Sequence, residues 1–277
     1  MAQIEIYQVD AFTDRPFCGN PAAVCLLEEK LSNEEMRSIA SEMNLSETAF
    51  VRPLNDASFQ ESEEFTLRWF TPEVEVPLCG HATLATSWVL FEEIENVNDT
   101  VTFSTKSGNL SAEKREGVVL DFPTNTPTQQ EPSQEILDGL GIVNYEDSSY
   151  SADTNKLLIA LSSEDRVKNL NPDFSKLSSI VTDIRGIIVT AKGEDGYDFV
   201  SRYFAPWVGI DEDPVTGSAH TVLAPYWSTL LNKKEMKAYQ ASDRGGKLTV
   251  RIKDDRTELE GKAVTVLEGN LFIWSVL

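Results

Sequence analysis

The chain has 277 residues, and its 24 Lys and Arg against 45 Asp and Glu give a formal net charge of −21. A chain of this length can bury a substantial core, and its 41% hydrophobic and 25% charged residues exclude intrinsic disorder and a fibrous repeat. Such an acidic surface repels phosphate backbones and anionic lipids, which argues against nucleic acid or a membrane as a partner.

Cysteine and histidine usage predicts a cytoplasmic protein without a metal. The three cysteines form no disulfide framework, and neither they nor the two histidines show the spacing of a zinc site. The first residues, MAQIEIYQVDAF, lack the basic and apolar runs of a signal peptide. No apolar run reaches the roughly 18 residues that a membrane-spanning helix requires.

The first half of the chain is predicted to be mostly strand around one apolar helix. A capping box at Ser32 and Glu35 begins a helix that runs to about Met43. A second helix runs from Gly80 to about Phe91 and is apolar nearly all round, which indicates that it is buried. Strands, recognised by apolar and β-branched residues between turn signals, are expected at 3–9, 21–27, 46–52, 65–70, 101–105, 108–115 and 117–122.

The second half has a related order of elements after a linker rich in Thr, Pro and Gln at 123–133. Its central helix is predicted from about Gly217 to Leu231. Strands are expected at 156–161, 186–190, 197–204, 236–240, 247–253, 257–260 and 262–267. This pattern is typical of an α+β protein rather than of alternating βαβ units.

Three segments recur in the same order in both halves at a nearly constant spacing. The matching pairs are 68–72 with 202–206, 77–82 with 214–219, and 107–110 with 245–248. A period this long indicates two similar lobes rather than a solenoid. We therefore expect two pseudo-symmetric lobes, residues 1–125 and 126–277, each mostly strand with a central apolar helix.

Both repeats place a glycine, Gly80 or Gly217, at the start of the apolar helix. The unpaired N–H groups of a helix start bind anions, so two such starts facing each other across a cleft between the lobes would suit a substrate carboxylate. The alternative is that both glycines serve only turns and packing. His81 aligns with Ser218 and would point into this cleft, where imidazole suits proton transfer or hydrogen bonding. His220 lies further into its helix, and packing explains it at least as well.

Two carboxylates and a thiol are further candidates. Asp213 precedes Pro214, which favours an extended backbone just before the second helix start. A carboxylate at this position serves either in a functional site or as a cap of the helix. Glu47 lies at the edge of an apolar strand, where burial would raise its pKa toward that of a general acid/base. Cys79 at the first helix start raises the possibility of a two-thiol racemase, but its repeat partner, Thr216, cannot act as the second thiol.

Five motifs together resemble the phenazine-biosynthesis PhzF-like isomerase family, and the longest strings look closest to its animal members. The motifs are Gly19-Asn20-Pro21-Ala22-Ala23-Val24, Asn44-Leu45-Ser46-Glu47-Thr48, Gly80-His81-Ala82-Thr83, Glu212-Asp213-Pro214-Val215-Thr216-Gly217-Ser218-Ala219-His220 and Arg244-Gly245-Gly246. The resemblance runs through nearly the whole chain. It implies a diaminopimelate epimerase-like fold, in which each of two lobes wraps a sheet around its central helix.

The family's bacterial prototype isomerises trans-2,3-dihydro-3-hydroxyanthranilate without a cofactor or a metal. Carried over by motif, the resemblance implies that Glu47 shuttles the proton and that His81 and Asp213 bind and polarise the substrate. It implies that the helix-start residues hold the substrate carboxylate, namely Gly80, Gly217 and Ser218. It also implies a homodimer. The alternative is a ligand-binding or scaffold protein that keeps the isomerase fold without turnover.

Overall fold

The computed structural model describes residues 2–55 and 57–273, which divide into two units. Unit 1 contains the described residues up to Asp121 and those from Glu260 onward, and unit 2 contains Phe122–Leu259. The change from unit 1 to unit 2 lies close to the predicted division after residue 125. The described residues from 260 to 273 belong to unit 1, whereas the sequence analysis assigned them to the second lobe.

The first half of the chain contains eight strands and two α-helices in the described residues. They are β1 (Ala2–Ala11), β2 (Asn20–Leu26), α1 (Asn33–Met43), β3 (Glu47–Pro53), β4 (Glu64–Phe70), β5 (Glu75–Val76), α2 (Gly80–Trp88), β6 (Thr100–Thr105), β7 (Gly108–Lys114) and β8 (Val118–Pro123). The rest of the described chain is β9 (Thr128–Gln129), α3 (Gln134–Leu140), β10 (Asp147–Ser151), β11 (Lys156–Ala160), α4 (Glu164–Lys168), α5 (Phe174–Ser179), β12 (Gly186–Lys192), β13 (Phe199–Ala205), β14 (Ile210–Glu212), α6 (Gly217–Leu231), β15 (Glu235–Gln240), β16 (Gly246–Lys253), β17 (Arg256–Gly261) and β18 (Ala263–Ile273).

Unit 1 is a mixed sheet on which α2 packs. β1 pairs antiparallel with both β2 and β18, β2 runs parallel to β3, and β3 runs antiparallel to β4. The sheet continues with β6, which runs parallel to β4, and then with β7 and β8 as antiparallel neighbours. Every residue of α2 from His81 to Ser87 is buried, and the helix packs on β1, β2 and β3. The apolar pattern predicted such a buried central helix.

Unit 2 is also a mixed sheet with a central helix. β11 runs parallel to β12, and β10 and β13 are their antiparallel neighbours. β13 runs parallel to β15, which pairs antiparallel with β16, and α6 packs on β15 and β16. The short helices contribute Ile136, Val167 and Leu177 to an apolar cluster of this unit.

Both central helices begin at the predicted glycines, α2 at Gly80 and α6 at Gly217. α6 ends at Leu231, as expected. α2 ends at Trp88 and continues as a wider π-helical turn at Val89–Glu93, which differs from the single α-helix that the sequence indicated. No helix among the described residues combines the length and the hydrophobicity needed to cross a membrane.

The sequence analysis missed the three short helices of unit 2. Each begins after a side chain that accepts a hydrogen bond from a backbone N–H of the first turn, namely Ser133, Ser163 or Asp173. These caps are a signal that could have predicted the helices. With only five to seven residues each, however, the helices are too short to show a helical repeat of apolar residues.

Candidate active site

Glu47 is the first residue of β3, where the chain enters the sheet of unit 1. It lies opposite Ala22 of the parallel strand β2. Its side chain is 13% exposed. This burial raises the pKa of the carboxyl group, while hydrogen bonds with Ser46 and Cys79 act in the opposite direction. A carboxyl group with a raised pKa is better matched to taking up and returning a proton at physiological pH.

His81 lies in the first turn of α2 and contacts Glu47. Its Nε2 is 3.3 Å from Glu47 Oε2 and 3.4 Å from Ser46 Oγ. The imidazole is 7% exposed. The start of α2 and the start of β3 therefore bring the two candidate catalytic residues of unit 1 together, and their roles remain predictions.

Cys79, whose role the sequence left open, is the third member of this group. It is the N-cap residue of α2, with an extended backbone and no side-chain capping bond. Its Sγ lies 3.5 Å from His81 Nδ1 and 4.0 Å from His81 Nε2, and the thiol also hydrogen-bonds Glu47. A carboxylate oxygen, a sulfur and an imidazole nitrogen thus lie within 4.8 Å of one another. We call these residues the Glu47–Cys79–His81 cluster.

Asp213 belongs to unit 2 and lies in the turn that leads into α6. Its Oδ2 accepts a 2.5 Å hydrogen bond from Thr216 Oγ1, and its backbone oxygen accepts one of 2.7 Å from Gln240 Nε2. Gln240 is fully buried at the end of β15, and its Oε1 accepts a 2.9 Å bond from the Thr216 N–H. The sequence analysis missed Gln240, because a glutamine at the end of a strand gives no local sign that it is buried.

Lys156, the first residue of β11, is a second residue of unit 2 that the sequence analysis missed. It is 7% exposed, and its Nζ lies 5.8 Å from the centre of the Tyr203 ring. Burial lowers the pKa of Lys156 to about 8, and the charge of Asp213 opposes this shift. Burial, together with the same charge, raises the pKa of Tyr203. Unit 2 therefore places a buried cation in the electrostatic field of a predicted substrate-binding carboxylate.

Lys156→Met is expected to stabilise the folded protein at pH 7. On folding, the lysine pKa falls from 10.5 to about 8, so below pH 8 the protonated lysine opposes folding by about 3 kcal/mol. Methionine fills a similar volume without a charge, and the free energy of unfolding in urea should rise by up to about 3 kcal/mol.

The wild-type protein should also gain stability relative to the variant between pH 8 and 10.5. In this range the unfolded lysine still binds the proton that the folded lysine has lost, so stability rises with pH. Lys156→Gln is the polar control and should show the same loss of pH dependence. A Lys156→Met protein less stable than wild type at pH 7 would show that attraction to Asp213 outweighs the cost of burial.

The remaining candidates lie at the starts of the central helices. Gly217 is buried, Gly80 is partly buried and Ser218 is exposed on the first turn of α6. His220 is fully buried, its Nδ1 donates a 2.8 Å hydrogen bond to the Thr216 carbonyl oxygen, and burial lowers its pKa to about 4. An enclosed neutral ring of this kind fits the packing role that the sequence analysis favoured.

The similarity of this chain to known proteins extends over nearly its whole length. A family model described as "Phenazine biosynthesis-like protein" matches residues 9–269. The mouse phenazine biosynthesis-like domain-containing protein 1 is 53% identical, in an alignment that covers 97% of this chain and 99% of the mouse protein. An uncharacterized isomerase of Halalkalibacterium halodurans is 50% identical, and the alignment covers 99% of this chain and 100% of that protein.

Solved structures agree with the family match. A crystal structure of a phenazine biosynthesis protein of the PhzF family from Enterococcus faecalis matches with a TM-score of 0.90 at 42% identity, and covers 98% of this chain and 100% of its own. Epimerase-fold structures match at much lower identity, which bears on the fold alone. The predicted fold class is therefore confirmed, and the relatives support an isomerase-like function.

Proposed function

The chain belongs to the phenazine biosynthesis-like family, and we propose that it is an isomerase that moves a proton between carbon atoms of a small carboxylate without a cofactor. Relatives named as isomerases support this class of reaction. The observation that carries the proposal is the position of Glu47, a largely buried carboxyl group of raised pKa with His81 Nε2 at 3.3 Å.

In the proposed reaction Glu47 acts first as a base and then as an acid. Its carboxylate removes a proton from an activated C–H bond, and the electron pair of that bond moves into the π system of the substrate. The proton then passes from Glu47 to a second carbon, which receives the electron pair. Burial supports this role, because it brings the pKa of Glu47 closer to the working pH.

His81 would assist Glu47 from the first turn of α2. Within 3.3 Å of Glu47 Oε2, its imidazole is placed to orient that carboxyl group and to hydrogen-bond a polar group of the substrate. A reaction based on two thiols is disfavoured, because Cys79 has Thr216 as its counterpart in the repeat.

Substrate binding is proposed on the family resemblance and on helix electrostatics. Asp213 would bind a polar group of the substrate, and the backbone N–H groups at the helix starts would hold its carboxylate. The residues in question are Gly80, Gly217 and Ser218. The same resemblance is the basis for proposing a homodimer, and the sparse cysteine usage is the basis for proposing that it lies in the cytoplasm.

The proposal is tested with trans-2,3-dihydro-3-hydroxyanthranilate and related small carboxylates in deuterated water. We expect NMR spectra to show a rearranged product that still forms in the presence of a chelator, since no metal takes part in the proton transfer. Binding of these carboxylates without rearrangement or exchange of a C–H proton would contradict the proposal and favour a binding or scaffold protein.

A further inference from the structure

The Glu47–Cys79–His81 cluster combines three kinds of metal ligand in one place. Carboxylate oxygen, thiolate sulfur and imidazole nitrogen are the groups that bind zinc in proteins. In this chain the three ligand atoms lie within 4.8 Å of one another. No spacing in the sequence reveals the set, because Glu47 belongs to β3 whereas Cys79 and His81 lie at the start of α2.

Two of the three separations within the cluster are close to those around a tetrahedral zinc ion, and the third, between Glu47 and Cys79, is at most 4.8 Å. The Zn–N, Zn–O and Zn–S bond lengths place ligand atoms about 3.3–3.6 Å apart. Glu47 Oε2 and His81 Nε2 are 3.3 Å apart, and Cys79 Sγ is 4.0 Å from the same nitrogen. A shift of the sulfur by roughly half an ångström, which a side-chain rotation provides, would bring this second distance into the same range.

The surroundings also favour a cation. All three side chains are largely buried, so their positions are fixed by packing before an ion arrives. The net charge of −21 attracts cations to the protein as a whole. The sulfur and nitrogen ligands select Zn²⁺ and similar ions over Mg²⁺ and Ca²⁺, which prefer oxygen ligands.

We infer that the cluster binds Zn²⁺ or a similar thiophilic divalent cation, with Cys79 Sγ, His81 Nε2 and one Glu47 oxygen as ligands and a fourth position open to water. On binding, the Cys79 thiol releases its proton to solvent. The binding itself does not depend on the isomerase reaction. The effect of metal binding on turnover does rest on the proposed function. An ion held by Glu47 occupies the carboxylate that would take the substrate proton, so the metal inhibits turnover.

Cobalt tests the site, because Co²⁺ accepts the same ligands as Zn²⁺ and gives an absorption spectrum. The full chain is reduced, freed of metal with a chelator and titrated with Co²⁺. We expect one equivalent to bind with a sulfur-to-cobalt charge-transfer band and the visible bands of tetrahedral coordination, and Zn²⁺ to abolish both. Absence of the charge-transfer band would overturn the proposal.

Single variants identify the ligands. Cys79→Ser, His81→Asn and Glu47→Gln should each weaken Co²⁺ binding by at least about 100-fold, because even groups outside the ligand set contribute 10- to 100-fold to metal affinity. Cys18→Ser is the matched control, since it removes a thiol outside the cluster, and it should bind Co²⁺ as the wild type does. Unchanged binding by Cys79→Ser would place the ion elsewhere.

A measurement on the wild-type protein avoids any folding defect of the variants. Zn²⁺ should protect Cys79 from alkylation, as read by mass spectrometry of its peptide, whereas Mg²⁺ should not. Equal alkylation of Cys79 with and without Zn²⁺ would overturn the proposal.

Activity assays separate this inference from the proposed function. Zn²⁺ inhibition that a chelator reverses supports both, and binding without turnover supports the site while contradicting the isomerase. Turnover that is insensitive to Zn²⁺ overturns the inhibitory role. Activity that is lost with a chelator and restored by Zn²⁺ would also overturn the inhibitory role, and it would make zinc a cofactor.

Discussion

Glu47→Gln is expected to lower kcat by roughly 10²- to 10⁴-fold, the contribution of a positioned general acid/base. The amide has nearly the same shape as the carboxyl group, so it preserves the packing around β3, but it cannot take up the substrate proton. The measurement is kcat at saturating substrate in the presence of a chelator, with circular dichroism as a check that the variant is folded.

Cys79→Ser is the matched control, because it alters the neighbour of Glu47 and leaves the carboxylate in place. A serine hydroxyl still offers a hydrogen bond to Glu47 and His81, and the loss of activity should therefore be far smaller. If Cys79→Ser abolished turnover while Glu47→Gln preserved it, the chemistry would be thiol-based. Activity unchanged in both variants would remove the cluster from the reaction.

The starts of the central helices could be predicted because their signal is local. In both repeats a strand and a loop lead to a glycine followed by small and apolar residues, and α2 and α6 begin at those glycines. The capping box is equally local: Ser32 Oγ accepts from the Glu35 N–H, and the Glu35 carboxylate accepts from the Ser32 N–H. Such signals need no knowledge of the tertiary structure.

The Glu47–Cys79–His81 cluster could be predicted only in part. Motif resemblance singled out Glu47 and His81, but the contact of Cys79 with both depends on how β3 and the start of α2 meet. That meeting follows from the pairing of β2 with β3 and from the packing of α2 on them. Local periodicity shows which residues form a strand and does not name its partner.

The same limit explains why the sequence analysis grouped the end of the chain with the second half, whereas the structure groups it with unit 1. A strand was predicted at 262–267, but the partner of the observed strand β18, which is β1, lies at the other end of the sequence. Lys156 and Gln240 were missed for a related reason. Lysine and glutamine at strand ends are usually exposed, and only packing in unit 2 makes these two buried.

The repeat also extends to side-chain contacts that the sequence alone did not predict. Arg68 in unit 1 and Arg202 in unit 2 occupy equivalent positions, and each guanidinium binds both carboxylate oxygens of a glutamate, Glu75 or Glu212. Each also lies over the ring of the phenylalanine two residues further on. The two arginines differ in burial, since the side chain of Arg68 is 31% exposed and that of Arg202 is 10% exposed.

Arg202→Met is expected to lower the free energy of unfolding by about 3–5 kcal/mol, the usual effect of removing one partner of a buried ion pair. The substitution leaves the Glu212 carboxylate largely buried without its guanidinium. It also removes the donor that binds the Leu170 carbonyl oxygen at 2.6 Å. Urea unfolding at pH 7, followed by tryptophan fluorescence, measures the change.

Arg68→Met is the matched control and should cost less than Arg202→Met, because that arginine is more exposed. In addition, Glu75 keeps a second cationic partner, Lys106 Nζ at 2.5 Å. Adding Glu212→Leu to Arg202→Met should recover part of the lost stability, since removing both charges of a buried pair is far less costly than removing one. Equal losses for the two arginines, with no recovery in the double variant, would show that the apolar stem of arginine, and not its buried charge, stabilises each unit.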